Sequence, residues 1–125
     1  MNAKPNTRGM SLMLGERYFD GGSAGLMKQR AARHLDNVAA VLRQNPGLSL
    51  EIEGHTDDQA TPENSQDLSV NRAISIKSAL VLRGIASERI NTRGFGHTRP
   101  IADNTSPLGR LQNRRVELVF PVAQI

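Results

Sequence analysis

Two long segments with helical periodicity, each placed between shorter strand-like segments, most limit the fold of this chain. In residues 24–44 the apolar side chains recur at the spacing of one helix face, so they are expected to pack against a single surface. They are Met27, Ala31, Leu35, Val38 and Leu42. Residues 65–83 repeat the pattern with Leu68, Ala73, Ile76 and Leu80. The strand-like segments are residues 10–14, 48–53, 89–96 and 115–120.

Strands that alternate with helices of this length are joined by crossover connections, and the helices pack on the sheet. The predicted order is β-α-β-α-β-β, an α/β (α+β) two-layer sandwich in which two main helices cover a mixed sheet. Asn45-Pro46-Gly47 ends the first helix, and Gly84 stands where a C-cap glycine ends the second. Asp20 or Ser23 is the expected cap of the first helix. Ser106-Pro107 opens a short helix in the last loop.

A chain of 125 residues is long enough for one domain with one core. We place this domain at residues 10–121, after a flexible N-terminal segment at 1–9 and before a C-terminal tail at 122–125. No apolar run approaches the length of a membrane span. The protein is therefore expected to be cytosolic, or attached to a membrane through a part outside this chain.

Composition argues against several classes of partner. Three Phe and one Tyr leave little aromatic surface for base stacking, and no Lys/Arg tract exceeds two residues, so nucleic-acid binding is not expected. The net charge of +4 comes mainly from arginine, a side chain that suits planar anions such as carboxylates. The chain has no cysteine, which excludes disulfides and cysteine metal sites and is compatible with the cytosol as well as the periplasm.

Opposite charges flank the start of the second helix. Asp57 and Asp58 follow the strand at 48–53 in a polar loop, and Arg72 lies in the helix beyond it. Such a pair suits a zwitterionic ligand, because a carboxylate binds an ammonium and a guanidinium forks onto a carboxylate. The alternative is structural, with Asp57 closing the loop and Arg72 solvated on the helix surface. The residues alone leave both interpretations open.

Metal binding and catalysis are not indicated. His55, Asp57, Asp58 and His97 include the ligand types of several divalent ions, but their spacing matches no metal motif, so neither a metal nor a cofactor is expected. Ser65 and Ser69 lie near Asp57 in sequence without a histidine–carboxylate pattern that would activate them. We therefore predict a binding protein and not an enzyme.

Several short motifs occur together in a fixed order. They are Glu53-Gly54-His55-Thr56-Asp57, Leu68-Ser69 with Arg72-Ala73, Gly94-Phe95-Gly96, Pro100, Asn104, Gly109-Arg110 and Asn113-Arg114-Arg115-Val116-Glu117. In this combination the chain closely resembles the OmpA-like C-terminal domain family. That family includes the periplasmic domain of OmpA, the peptidoglycan-associated lipoprotein and the wall-binding domain of flagellar stator B subunits.

The resemblance implies non-covalent binding of peptidoglycan through the meso-diaminopimelate of the stem peptide. Asp57 would bind the amino group of that residue and Arg72 its carboxylate. Alanine at either position is expected to abolish wall binding and leave the fold intact. Supporting or rim positions would be His55, Thr56, Leu68, Ser69, Arg110 and Arg114. The full-length protein would be periplasmic, attached to the outer membrane or cell envelope, and would anchor it to the wall.

Two other functions remain open. One is a regulated, dimerising wall-binding module of a flagellar stator or secretion system, and the other is a basic binder of anionic polymers. The chain also departs from the family pattern at three places. Ala60 replaces a glycine, Ser65 replaces an asparagine, and Gly21-Gly22-Ser23 precedes the first helix where some members contribute a polar ligand contact. These departures put the loop conformation and the supporting contacts in question.

Overall fold

The computed structural model describes residues 3–6 and 9–121, and within them five strands form one sheet. The strands are Ala3–Asn6 (β1), Gly9–Gly15 (β2), Leu50–His55 (β3), Ile90–Gly94 (β4) and Arg115–Pro121 (β5). The α-helices are Lys28–Gln44 (α1), Pro62–Val81 (α2) and Pro107–Asn113 (α3). Short 3-10 helices lie at Glu16–Tyr18 and Ser87–Arg89. No helix in these ranges is long and apolar enough to span a membrane.

The sheet is mixed, with strand order β1-β2-β5-β3-β4. β5 runs antiparallel to both β2 and β3, whereas β3 and β4 are parallel and are joined through α2. Side chains from one sheet face, such as Leu14, Ile52 and Leu118, form a single core with Leu35 of α1 and Ile76 of α2. Both main helices therefore cover the same face, and the predicted two-layer sandwich with a mixed sheet is confirmed.

Helix α1 begins later than predicted, and its predicted cap is wrong. Phe19 and Leu26 form an isolated β-bridge, and the Asp20 N–H donates to Gly25 O at 2.7 Å, so a tight loop occupies the residues before Lys28. The Ser23 hydroxyl donates to Asp20 O and accepts from Gly25 N–H. Ser23 thus stabilises the loop and does not cap the helix, whose N-cap residue Met27 makes no side-chain capping bond.

Helix α2 begins earlier than predicted, at Pro62, because Thr61 caps it by accepting a hydrogen bond from Asn64 N–H at 3.2 Å. Its predicted end is nearly right. Gly84 follows in the left-handed region at φ 89°, where glycine is favoured because it has no Cβ. The predicted opening of α3 is confirmed, since Ser106 accepts from Gly109 N–H at 3.0 Å.

Strand β1 was not predicted. Ala3–Asn6 pairs antiparallel with β2, whereas the sequence suggested a flexible segment at residues 1–9. Pro5 is compatible with a strand here because β1 lies at the edge of the sheet and pairs on one side only. Residues 1–2, 7–8 and the predicted tail at 122–125 lie outside the described residues, so the domain boundaries stay predictions.

Two glycines let α2 approach the sheet closely enough to fix the residues that follow. A Cβ atom at Gly54 of β3 would lie 2.0 Å from Ser69 O, and one at Gly94 of β4 would lie 2.6 Å from Ser69 Oγ. Any larger side chain would therefore push the helix away. Arg72 lies one turn after Ser69, so its position over the sheet depends on this contact.

Candidate functional site

Asp57 lies just beyond the carboxyl end of β3 in a loop with fixed geometry. Thr56 N–H donates to Gly96 O at 2.8 Å, which continues the β3–β4 pairing up to the aspartate. Asp57 Oδ1 accepts from Gln59 N–H at 3.0 Å, and Oδ2 lies 2.7 Å from Arg114 Nη1. One carboxylate oxygen therefore closes the loop, and the other binds a cation.

Arg72 is almost completely buried on α2, with 1% of its surface exposed. Its Nη1 and Nη2 atoms donate to the two carboxylate oxygens of Glu16 at 2.8 and 3.0 Å. Its Nε atom donates to Ser23 O at 2.8 Å. The guanidinium carbon lies 4.7 Å from the centroid of the Phe19 ring, a cation–π distance. Arg72 is thus held in one orientation and is not the solvated helix residue of the structural alternative.

Arg114 connects these two groups into a continuous row of charges. Besides its bond to Asp57, its Nε atom lies 3.4 Å from Glu16 Oε2, so the order is Asp57–Arg114–Glu16–Arg72. We call these four residues the ionic row. Two carboxylates and two guanidinium groups make it neutral. Its ends are the buried members, with side-chain exposures of 12% for Asp57 and 2% for Arg72, against 31% for Arg114 and 22% for Glu16.

The structure brings the predicted pair, Asp57 and Arg72, into one cluster. It also adds a residue that sequence reasoning missed, because Glu16 binds Arg72 across 56 positions of the chain. The signal that could have identified Glu16 is its position directly after β2, where the chain leaves the sheet. Its local sequence does not indicate the arginine with which it pairs.

The structure distinguishes the two neighbouring aspartates, which in the sequence only the register of the family motif separated. Asp57 is buried and paired with Arg114, whereas Asp58 is exposed and accepts only from the Gln59 side-chain amide among its described contacts. Ala60, in place of the family glycine, lies between two fixed points, the Asp57–Gln59 turn and the Thr61 cap.

The predicted supporting residues divide into several groups. Ser69 is fully buried, donates to Gln66 O and accepts from Gly96 N–H, so it ties α2 to the loop after β4. The Thr56 hydroxyl donates to Asp57 O at 2.8 Å, and Leu68 is half-buried.

The two predicted rim arginines differ in their contacts. Arg110 donates to Asn104 O at 3.0 Å and makes no described contact with the ionic row. Arg114 is the predicted rim residue whose side chain is itself part of the ionic row.

Ser65, the second departure from the family pattern, has a buried hydroxyl. It is 1% exposed, and its Oγ atom has no hydrogen-bond partner among the described residues. It precedes Arg72 by two turns on the buried face of α2. The shorter side chain therefore leaves unused hydrogen-bonding capacity next to the helix face that carries the arginine.

His55 lies outside the ionic row, in a second polar cluster between β3 and β5. Its ring stacks on Phe95 with centroids 5.4 Å apart, and its Nε2 atom is 3.7 Å from Glu117 Oε2. Within residues 9–121, the group with metal-ligand atoms close together is Glu53, His55 and Glu117, all within 4.8 Å. This set differs from the one weighed in sequence, which included Asp57, Asp58 and His97.

Arg115 supplies the cation of this second cluster. Its Nε atom donates to Glu117 at 2.8 Å, and Nη1 and Nη2 donate to Asn113 O and Arg99 O. Burial lowers the pKa of Arg115, and the Glu117 carboxylate opposes that shift. Because the Arg115 guanidinium already pairs with Glu117 and also binds Arg99 O, the cluster is best explained as a structural tie between β5 and the loop after β4.

Comparison with known proteins gives a consistent family. The model of the OmpA family matches residues 18–114. The probable lipoprotein YiaD of Escherichia coli is 41% identical over 102 residues, which are 82% of this chain and 46% of YiaD. The peptidoglycan-binding protein ArfA of Mycobacterium bovis is 41% identical over 85 residues, which are 68% of this chain and 26% of ArfA. The chain thus spans less than half the length of these curated relatives.

A solved structure shows the same fold. The periplasmic domain of Helicobacter pylori MotB superimposes with a TM-score of 0.82 and covers 95% of this chain and 80% of the MotB chain. The sequences are 24% identical, so the likeness concerns the arrangement of helices and strands.

Proposed function

Because this chain belongs to the OmpA family, we propose that it binds peptidoglycan non-covalently and anchors an envelope protein to the cell wall. ArfA, a relative 41% identical over its matched region, is named as a peptidoglycan-binding protein. The part of this chain that matches the family model, residues 18–114, includes Asp57 and Arg72. Peptidoglycan is therefore the partner that family membership supports best.

The proposed ligand within peptidoglycan is the meso-diaminopimelate of the stem peptide. Its free end carries an ammonium and a carboxylate on one carbon, and these would bind Asp57 and Arg72 respectively. The observation that carries this assignment is the ionic row, because its two buried ends have the opposite charges that such a zwitterion requires. Both ends are held by further contacts, Asp57 by Gln59 N–H and Arg72 by Ser23 O.

The other features fit a passive tether. We propose that Arg114, which is 31% exposed, lies beside the acidic stem peptide, and that Arg110 does so as well. We infer binding without catalysis, and no cofactor is required for it. The MotB structure that shares this fold is that of a periplasmic domain, and we propose the same compartment for this chain. Attachment to the outer membrane or envelope would come from a part outside this chain.

The structure weighs against the anionic-polymer alternative. Several arginines donate to the protein itself: Arg72, Arg83, Arg89, Arg114 and Arg115. Fewer arginine side chains are therefore available to contact a polymer than the total number of arginines suggests. The second candidate function, a dimerising wall-binding module of a stator or secretion system, is supported by the fold shared with MotB. Light scattering with and without wall fragments distinguishes it from a monomeric tether.

The decisive experiment is co-sedimentation with purified sacculi whose stem peptides contain diaminopimelate. Asp57→Asn and Arg72→Lys each remove one ligand contact and retain most of the side-chain volume. Each should weaken binding by about ten- to a hundredfold, because a hydrogen bond to a charged group contributes roughly 1.5–3 kcal/mol. Asp58→Asn is the matched control and should sediment like the wild type. Equal sedimentation of wild type and Asp57→Asn would exclude the proposed site.

A further inference from the structure

Glu16 and Arg114 occupy the two groups that the proposed function assigns to the ligand. The following inference rests on that function and concerns its selectivity. We infer that Glu16 and Arg114 are specificity-determining residues, an internal ion pair that only a ligand with both an ammonium and a carboxylate replaces in full. Neither residue was assigned this role from sequence, where Arg114 was a rim position and Glu16 was not singled out.

The geometry of the row is that of a ligand mimic. The Glu16 carboxylate forks onto Arg72 at 2.8 and 3.0 Å, as the carboxylate of an amino acid would. Arg114 Nη1 donates to Asp57 Oδ2 at 2.7 Å, where an ammonium would donate. The positive and negative members of the pair also contact each other at 3.4 Å. The protein thus supplies one cation and one anion, joined side by side.

The burial of the four side chains identifies which pair would leave. Arg114 and Glu16 are 31% and 22% exposed, and Arg72 and Asp57 are 2% and 12% exposed. Glu16 and Arg114, which we call the outer residues, have solvent on one side. Asp57 and Arg72, the inner residues, are fixed by the loop and by α2. Since Glu16 and Arg114 already contact each other, they remain paired when both are displaced, and neither charge is left without a counterion.

A ligand whose charges are all of one sign cannot make the same exchange. An anion that displaces Glu16 from Arg72 competes with a tethered carboxylate of high effective concentration, and it leaves Asp57 occupied by Arg114. A cation that displaces Arg114 meets the converse obstacle at Glu16. A zwitterion replaces both contacts at once, so the row selects against molecules that offer only half of the required charge.

The inner residues keep their positions when one outer residue is changed. Without Glu16, Arg72 still donates to Ser23 O and packs on Phe19. Without Arg114, Asp57 still accepts from Gln59 N–H. A substitution of one outer residue therefore opens one half of the site and leaves the other half in place.

The test is calorimetric titration of wild type, Glu16→Gln and Arg114→Gln with three probes. The first probe is meso-diaminopimelate. The second is pimelate, which has its carboxylates without the amines, and the third is 1,5-diaminopentane, which has its amines without the carboxylates. Glu16→Gln should bind pimelate roughly tenfold more tightly than wild type, and Arg114→Gln should bind the diamine roughly tenfold more tightly. All three proteins should still bind meso-diaminopimelate. Glu63→Gln and Arg33→Gln make the same charge changes on exposed helix positions and should match wild type.

The outcomes separate this inference from the proposed function. If wild type binds meso-diaminopimelate but neither variant gains affinity for its probe with charges of one sign, the selectivity role is wrong and the binding function stands. If no protein in the set binds meso-diaminopimelate or sacculi, both proposals fall. Circular dichroism of each variant confirms folding, and Arg114→Gln alters the more exposed residue, so it tests the inference even if Glu16→Gln does not fold.

Discussion

The Arg72 guanidinium forks onto the carboxylate of Glu16, with Nη1 and Nη2 at 2.8 and 3.0 Å from its two oxygens. Burying an arginine on a helix is costly unless its donors are satisfied. Here Nε also donates to Ser23 O, so the cation is paired and hydrogen-bonded on several sides. This contact joins the segment after β2 to the middle of α2, and it gives Arg72 a structural role beside its proposed role in binding.

Arg72→Ala should therefore destabilise the protein, contrary to the expectation from sequence that the variant folds normally. The substitution removes packing on Phe19, leaves a cavity and deprives Glu16 of its forked partner. We expect a loss of at least about 2 kcal/mol in the free energy of unfolding. Urea unfolding measures it, and Arg33→Ala on the exposed face of α1 is the control. Equal midpoints for Arg72→Ala and wild type would show that the fork is not needed for stability.

Binding of sacculi should weaken as salt is added. The proposed contacts are ionic, and mobile ions screen the charges at the opening more than those at the buried ends. Sedimentation at about 0.05 M and about 0.5 M salt should show a decrease for wild type, because the Debye length falls across this range. Residual binding by Asp57→Asn should depend less on salt. Salt-independent retention of wild type would argue for an apolar mode of binding.

Gly54→Ala should destabilise the domain and displace α2. The added Cβ would lie 2.0 Å from the backbone oxygen of Ser69, which cannot move without the helix. We expect a loss of about 3 kcal/mol, the upper part of the usual range for overpacking. Gly47→Ala is the matched control, since its Cβ would meet nothing within 4 Å. Thermal unfolding of the two variants should differ clearly, and similar melting temperatures would contradict the close packing.

Asn113→Ala should loosen the loop before α3. The buried amide accepts from the N–H groups of Ile101 and Ala102 and donates to Ala102 O and Asn104 Oδ1. Because the substitution leaves backbone groups without partners, we expect a loss of about 2–4 kcal/mol. Chemical denaturation checks the value, with Asn37→Ala at an exposed position of α1 as the control. Hydrogen exchange at Ile101 should accelerate as well, and unchanged protection there would refute the role of Asn113.

Stability should rise with pH through the range in which His34 loses its proton. Burial, with added repulsion from nearby positive charges that include Arg33, lowers the pKa of His34 from its usual 6.5. In that range the unfolded chain binds more protons than the folded one, so folding becomes more favourable as pH increases and less favourable as it falls. Melting temperatures between about pH 5 and pH 7.5 avoid most carboxylate titration. His34→Gln should flatten the curve, and an unchanged slope would assign the effect elsewhere.

Local patterns determined most of the secondary structure. The apolar spacing of α1 predicted Ala31, Leu35 and Leu42, which are all buried, because a helix repeats its faces at a fixed period. Turn residues predicted several ends in the same way, as Gly84 and Ser106 show. The motif that contains Asp57 and the one that contains Arg72 were also readable from sequence, and they led to the family that comparison supports.

Only the tertiary structure decided which charges meet. Glu16 and Arg72 are 56 positions apart, and Asp57 and Arg114 are 57 apart, so no local pattern links either pair. The late start of α1 and the pairing of β1 with β2 likewise depend on neighbours that sequence order does not indicate. Secondary structure follows from short-range periodicity, whereas the ionic row exists because the folded sheet brings the ends of β2, β3 and α3 beside one face of α2.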